Sequence, residues 1–358
     1  MRQDLKEKIE DIISNTSNAN DQIIISQLEQ LINEANSRSG VNRKSESLSD
    51  LVAKNLNQLK GTKQDENYIS TGFESLDHVI DGFGLGEYVI VGARPGMGKT
   101  QFLINLSLNM SVDLPVLFFS FDLPPFLLTN RFISTISSIP ASDILHHKLT
   151  DKQKKNIESV ETEFSKHQIF INDSCRNSIL GFKDHCKKMI EEKGVKIIIV
   201  EDLQMMGAGK YHRNERELEI NYISGVLRSI AKDFNVCVIA SSQLNRSVEG
   251  RSGYSKIPRL SDLRDSGAIE QDADKVIFLF RPEYYRITLD EHGNNLEGVT
   301  FLHIEKNKNG PLGTAKLMRD ADFTSFKSFD GYKNSFSFSP SRLRSINGDP
   351  NNTDKMPF

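Results

Sequence analysis

YVIVGARPGMGKT, Tyr88 to Thr100, is the stretch on which the fold turns. Tyr88 to Val91 is an apolar run long enough for one buried strand. Ala93, Arg94, Pro95, Gly96, Met97, Gly98, Lys99 and Thr100 then form a phosphate loop of the pattern Ala-x-x-x-x-Gly-Lys-Thr. Ala93 stands where the common motif has Gly, and Gly92 lies one position earlier. Gln101 to Met110 continues with helical spacing. Strand, glycine-rich turn and helix are the context in which this motif binds a nucleoside triphosphate. Gly96 and Gly98 let the backbone curl so that its N–H groups face phosphate oxygens, and the new helix adds the positive end of its dipole. Lys99 is expected to reach the β- and γ-phosphates, and Thr100 to hold Mg²⁺ by its hydroxyl.

Outward from this loop the pattern is alternating strand and helix. Val116 to Phe121, His167 to Asn172, Lys196 to Val200, Val236 to Ser241, Val276 to Phe280 and Val299 to Glu305 read as strands. Phe126 to Ile136, Ile179 to Lys193 and Glu215 to Phe234 read as helices between them. Strands apolar throughout, separated by helices, predict an α/β fold with a mainly parallel sheet covered on both faces. Ligands of such sheets bind beyond the carboxyl ends of the strands. Thr100, Asp122, Glu201 and Gln243 all sit at those ends and should converge. Glu201 is placed for a second Mg²⁺-coordinating role, with Asp202 able to share it. Asp122 is placed to polarise an attacking water, and Gln243 to sense the γ-phosphate.

The 358 residues allow one large domain with extensions. Hydrophobic content is 37%, and no apolar run approaches the roughly 20 residues of a membrane span. No signal-peptide block opens the chain, so a cytoplasmic location without membrane contact is expected. Cys175, Cys186 and Cys237 have no metal-like spacing and read as reduced thiols, and the histidines show no zinc pattern. With a net charge of −3, any nucleic-acid contact needs locally concentrated cations.

The N-terminal 40 residues read as a short helical extension, with Leu5, Ile9, Ile12 and Ile13 on one face and a second apolar stripe over Ile23 to Leu31. Residues 41–66 read as a linker carrying an amphipathic helix, Leu48 to Leu59, whose apolar face docks either on its own domain or on a neighbouring subunit. Residues 67–333 form the core domain. Residues 334–358, rich in Ser, Asn and Pro, read as a disordered tail.

From Ser49 to about Phe326 the chain resembles the ATPase domain of DnaB-family replicative helicases, a RecA-like P-loop NTPase fold. The resemblance rests on TGFESLDHVIDG, ARPGMGKT, FFSFDLP, IIIVEDLQMM, SSQLNRSVEGR, EKNKNGPLGT and above all LSDLRDSGAIEQDADKVIFLFRPEYY, Leu260 to Tyr285. The SSQLNRSVEGR and LRDSGAIEQDAD blocks set it apart from RecA-like recombinases and clock-type ATPases. The resemblance implies a homo-hexameric ring on single-stranded DNA that translocates 5′ to 3′ by hydrolysing ATP with Mg²⁺. It implies that Lys306 and Lys308 reach a neighbour's γ-phosphate. It places DNA contacts on Gly207 to Arg216, Arg246 to Arg259 and the turn Arg264-Asp265-Ser266-Gly267, with Lys210, Arg213, Arg251 and Arg264 as phosphate partners. It also favours the intersubunit docking of the Leu48 to Leu59 helix. The family's usual globular N-terminal domain has no counterpart in the extension, which bears on contacts with primase or a loader. The terminal Asp354-Lys355-Met356-Pro357-Phe358 resembles the partner-docking tail of bacterial single-stranded-DNA-binding proteins.

Three positions depart from the family pattern. The family has Glu at Asp122 and Asp at Glu201, so the two carboxylates are exchanged in length. Lys308 replaces the arginine finger, keeping the charge without the planar fork. Because a displacement of about 1 Å can cost about 100-fold in rate, three readings remain open: slow hydrolysis, a co-adapted working site, or a weakened ATPase ring serving as a DNA-bound adaptor.

Overall fold

The computed structural model describes residues 47–60, 68–176, 178–208, 215–263 and 267–329. The chain divides into two units, Met1–Gln64 and Asp65–Phe358. In the first, helix α1 (Leu48–Lys60) leaves Leu48, Val52 and Leu56 exposed on its apolar face. The helices expected in residues 1–40 and the tail expected over 334–358 lie outside the described residues.

The second unit begins with a short antiparallel ribbon, β1 (Tyr68–Ile69) and β2 (Phe83–Gly84), around α2 (Glu74–Ile80). Then come β3 (Tyr88–Ala93), α3 (Lys99–Met110), β4 (Val116–Ser120), α4 (Pro125–Ser137), α5 (Ala141–Leu145), α6 (Asp151–Phe164) and β5 (Ile169–Asn172). They are followed by α7 (Ile179–Lys193), β6 (Ile197–Glu201), α8 (Arg216–Phe234), β7 (Cys237–Gln243), α9 (Gly267–Asp272) and β8 (Lys275–Phe280). Three strands close the described chain: β9 (Val299–Asn307), β10 (Gly313–Arg319) and β11 (Phe326–Ser328).

Nine strands form one sheet in the order β11-β10-β9-β8-β3-β7-β6-β4-β5. From β8 to β5 every pair is parallel, while β9, β10 and β11 add antiparallel. The core strands are buried at nearly every position, whereas β9 alternates between buried and half-buried residues. That difference fits sheet physics: the central parallel strands are covered on both faces, whereas an antiparallel strand can be covered on one.

Strand pleating splits the apolar runs into two cores. Val89 and Val91 of β3, Phe118 of β4 and Ile197 and Ile199 of β6 face one side, with Phe102, Leu103 and Leu106 of α3 and Phe132 of α4. Tyr88, Ile90, Leu117, Phe119, Ile198 and Val200 face the other, with Phe182 of α7 and Ile223, Leu227 and Ile230 of α8. Successive side chains on a strand point to opposite faces, so two adjacent apolar residues each find a separate core. This double anchoring fixes the ends of β3, β4, β6 and β7, where the polar residues of interest begin.

Candidate active site

At the end of β3 the chain turns through Gly96 and Gly98, both left-handed at φ 81° and 87°. Gly98 caps α3 without a side chain, and no acidic residue occupies the first turn of that helix. The first N–H groups of α3 are therefore left for an anion, as a helix N-terminus provides. A Cβ on Gly98 would lie 3.0 Å from the Phe323 ring and 3.2 Å from Phe326, so packing as well as φ demands glycine there.

Above this turn opens a cleft of about 700 Å³, sized for a nucleotide. Lys99, Thr100, Asp122, Glu201 and Gln243 all line it, as do Arg94, Pro95, Gly96 and Gly98 of the phosphate loop. The four strand-end residues singled out by their position thus line one cleft together with Lys99.

Glu201 ends β6 beside Ser120 of β4 and is 1% exposed. Ser120 Oγ donates to the Leu123 carbonyl at 2.8 Å and lies 3.1 Å from Glu201 Oε2, and the Thr100 hydroxyl on the same side favours the charged carboxylate. Burial pushes the Glu201 carboxyl above its ordinary range, an effect the two hydroxyls, Lys99 and Arg131 oppose. A buried carboxylate against a threonine hydroxyl, beside N–H groups ready for phosphates, is a donor set that fits Mg²⁺. Asp122 is exposed and makes no hydrogen bond or ion pair with another described residue. Asp202 Oδ2 lies 3.5 Å from Lys99 Nζ.

Several side chains hold the site through contacts that the sequence did not signal, Arg94 of the phosphate loop among them. Arg94, 7% exposed, donates from Nη1 to the Leu244 carbonyl at 2.7 Å and from Nε to Glu249 at 3.0 Å, binding the phosphate loop to the segment after β7. Arg281 Nη1 donates to the Gly96 carbonyl at 2.7 Å while its guanidinium stacks on Phe323. Gln204 accepts from the Gln243 N–H at 3.0 Å and donates to Ser242 Oγ at 2.7 Å, fixing the backbone of the expected γ-phosphate sensor. Arg131, on α4, also lines the cleft.

Lys306 and Lys308 are not in this cleft. Lys306 pairs in register with Val276, near the start of β8, and its Nζ donates to the Glu270 and Gln271 carbonyls at 2.5 and 3.3 Å. Lys308 Nζ sits 2.9 Å from Asp274 Oδ1. Both lie at the amino ends of the parallel strands, opposite the phosphate loop.

Arg251, expected to meet phosphate, instead forks onto Asp262, with Nη1 2.9 Å from Oδ2 and Nη2 bonded to Oδ1. Asp262 is buried, and the pair raises the Arg251 pKa, chiefly through that hydrogen bond. The Arg251 guanidinium is thus engaged within the chain rather than held out to a ligand. Gly267 opens α9; Lys210, Arg213, Arg264 and Asp265 lie outside the described residues. Cys175, Cys186 and Cys237 are free thiols. Among the described residues no cluster of His, Cys, Asp and Glu could hold a metal by itself, and no helix is long and apolar enough to cross a membrane.

Comparison with known proteins agrees with this geometry. Residues 68–328 match the family described as the DnaB-like helicase C terminal domain. A probable replicative DNA helicase of Trieres chinensis is 36% identical over 261 residues, 72% of this chain and 56% of that protein. The replicative DNA helicase DnaC of Bacillus subtilis (strain 168) is 34% identical over 274 residues, 76% of this chain and 59% of that protein. The chain thus spans little more than half the length of these relatives. Among solved structures, the ATPase domain of G40P superposes with a TM-score of 0.72 at 28% identity, covering 80% of this chain and all of that one. A DnaB-like replicative helicase, solved to show its interactions with primase, gives 0.72 at 27% identity, covering 92% of this chain and 76% of that one.

Proposed function

We propose, from the premise that this chain belongs to the family of DnaB-like helicase C-terminal domains, that it is the ATP-hydrolysing subunit of a hexameric 5′–3′ replicative DNA helicase. The observation that carries the reading is the meeting of Lys99, Thr100 and Glu201 in one cleft at the carboxyl ends of the sheet.

In that cleft the phosphate-loop N–H groups and Lys99 bind and orient the triphosphate. Thr100 and Glu201 are the residues that would hold Mg²⁺, which when bound supplies charge neutralisation of the β- and γ-phosphates. Asp122 faces the space where a water would attack, and Gln243 reports the γ-phosphate to the segment after β7. Lys306 and Lys308 serve the adjoining subunit. β8 spans six residues, so they stand about 20 Å from their own phosphate loop at roughly 3.3 Å per residue. A cation at that end of the sheet meets a γ-phosphate only across a subunit boundary.

Single-stranded DNA is the expected track, held by the loops around residues 207–216, 246–259 and 264–267. Backbone-directed contacts of this kind bind without reading sequence. The likeness to a helicase solved for its interactions with primase suggests primase as a partner. Domain limits of 67–333 for the motor and 41–66 for the linker complete the reading.

The test is an ATPase assay with and without single-stranded oligonucleotide. Stimulation by DNA is expected, with Lys99→Ala reducing hydrolysis to background; wild-type turnover in that variant would refute the assignment of the loop. The free-standing Asp122 carboxylate favours a second reading, an adaptor ring that binds ATP and turns it over poorly. Assembly on ATP and DNA with hydrolysis near the uncatalysed rate would support that one instead.

A further inference from the structure

We propose that Asp202 is the resting counter-ion of Lys99, a positioning residue that the incoming triphosphate must displace. The inference rests on reading the cleft as a nucleotide site.

Two consecutive carboxylates at the end of β6 part company. Glu201 goes to Thr100 and Ser120. Asp202 goes to Lys99, with Oδ2 3.5 Å from Nζ and the two side chains 17% and 14% exposed. A part-buried ammonium with no partner is costly, and Asp202 supplies the partner.

The backbone shows that the carboxylate is aimed. Asp202 is left-handed, with φ 61° and ψ 87°. A residue with a side chain persists there only where its surroundings over-determine it. The surroundings are specific: the Asp202 N–H donates to Ser241 Oγ at 2.8 Å, and Oδ1 accepts from the Gln204 N–H at 3.2 Å. One carboxylate oxygen is thus fixed while the other is offered to Lys99. Gln204 is itself fastened to Ser242 and Gln243 on β7, so the arrangement has little freedom to relax.

The consequence is a competition. Lys99 cannot keep Asp202 at full strength and also bind the β- and γ-phosphates. Pairing in the empty site weakens nucleotide binding, and recapture of Lys99 after hydrolysis favours product release. Asp202 acts through Lys99 and leaves the metal side of the cleft to Glu201.

The experiment is a fluorescence titration of the full chain with mant-ADP and Mg²⁺. Asp202→Asn keeps an acceptor for the Gln204 N–H and tolerates left-handed backbone. The dissociation constant is expected to fall about tenfold, which corresponds to about 1.4 kcal/mol. The KM for ATP should fall with it, while kcat changes less than about threefold. In a Lys99→Ala background, Asp202→Asn should change the dissociation constant less than about twofold. Asp202→Gly, which also suits the backbone, should repeat the gain and serves if the Asn variant folds poorly. An unchanged dissociation constant in both variants overturns the proposal. So does an equal gain without Lys99, or a 100-fold loss of kcat at constant affinity, which would make Asp202 a catalytic carboxylate. Failure of the wild-type chain to bind mant-ADP would instead strike the nucleotide-site reading itself.

Discussion

Glu201 shows what a single position has to reconcile. It is nearly sealed from solvent, yet in the proposed role of Mg²⁺ partner it must carry charge. Burial opposes that charge, while the Thr100 and Ser120 hydroxyls and the Lys99 charge favour it. A carboxyl raised by burial resists ionisation more in the folded chain than in the unfolded one, so its charge at neutral pH detracts from stability. Glu201→Gln removes that cost together with the metal-binding oxygen. Hydrolysis is expected to fall at least about 100-fold, while the thermal midpoint stays level or rises. A fallen midpoint with retained ATPase would reverse the assignment. At this scale the sequence was informative about position: strand ends single out Thr100, Asp122, Glu201 and Gln243, the phosphate loop singles out Lys99, and all five line the cleft. It was silent on Arg131, Arg281 and Gln204. They reach the site from other elements, and their contacts exist only once the sheet has formed.

Elements were legible to the degree that they are buried on both faces. The continuous apolar runs of β3, β4, β6, β7 and β8 announce themselves, and the structure extends or trims them by a residue or two. β10 and β11 were passed over because a short, half-buried antiparallel strand such as Gly313–Arg319 carries little apolar signal. α6 was missed for the same reason, having one fully buried residue, Val160. Its Thr150–Gln153 capping box is a start signal that residue order alone displays. The segment after β7 is the opposite case, where resemblance suggested an open cation and the structure shows a paired one. Arg251 holds Asp262, which also accepts from the Arg259 N–H at 2.8 Å, so the pair closes this loop on itself. Arg251→Ala leaves a buried carboxylate without its charge partner and is expected to cost about 2–3 kcal/mol of stability, read as a lowered denaturation midpoint. An unchanged midpoint with weakened, less salt-dependent DNA binding would show instead that the guanidinium serves phosphate.

Across the whole motor unit, the sheet separates two chemistries. The phosphate loop and the other residues that line the cleft gather at the carboxyl ends of the parallel strands, while Lys306 and Lys308 are held at the amino ends by the Glu270 and Gln271 carbonyls and by Asp274. Strand direction alone keeps them apart, so on the proposed reading a single chain carries both halves of a site and assembles neither. The most direct measurement is an ATPase assay on mixed subunits. Lys99→Ala and Lys308→Ala are each expected to be nearly inactive alone with ATP, Mg²⁺ and single-stranded DNA. In a mixed ring, an intact Lys308 from one variant faces an intact phosphate loop from the other, so the mixture should regain a substantial part of the wild-type rate. A mixture no more active than the sum of its parts, or a Lys308→Ala chain as active as wild type, would contradict a site shared between subunits.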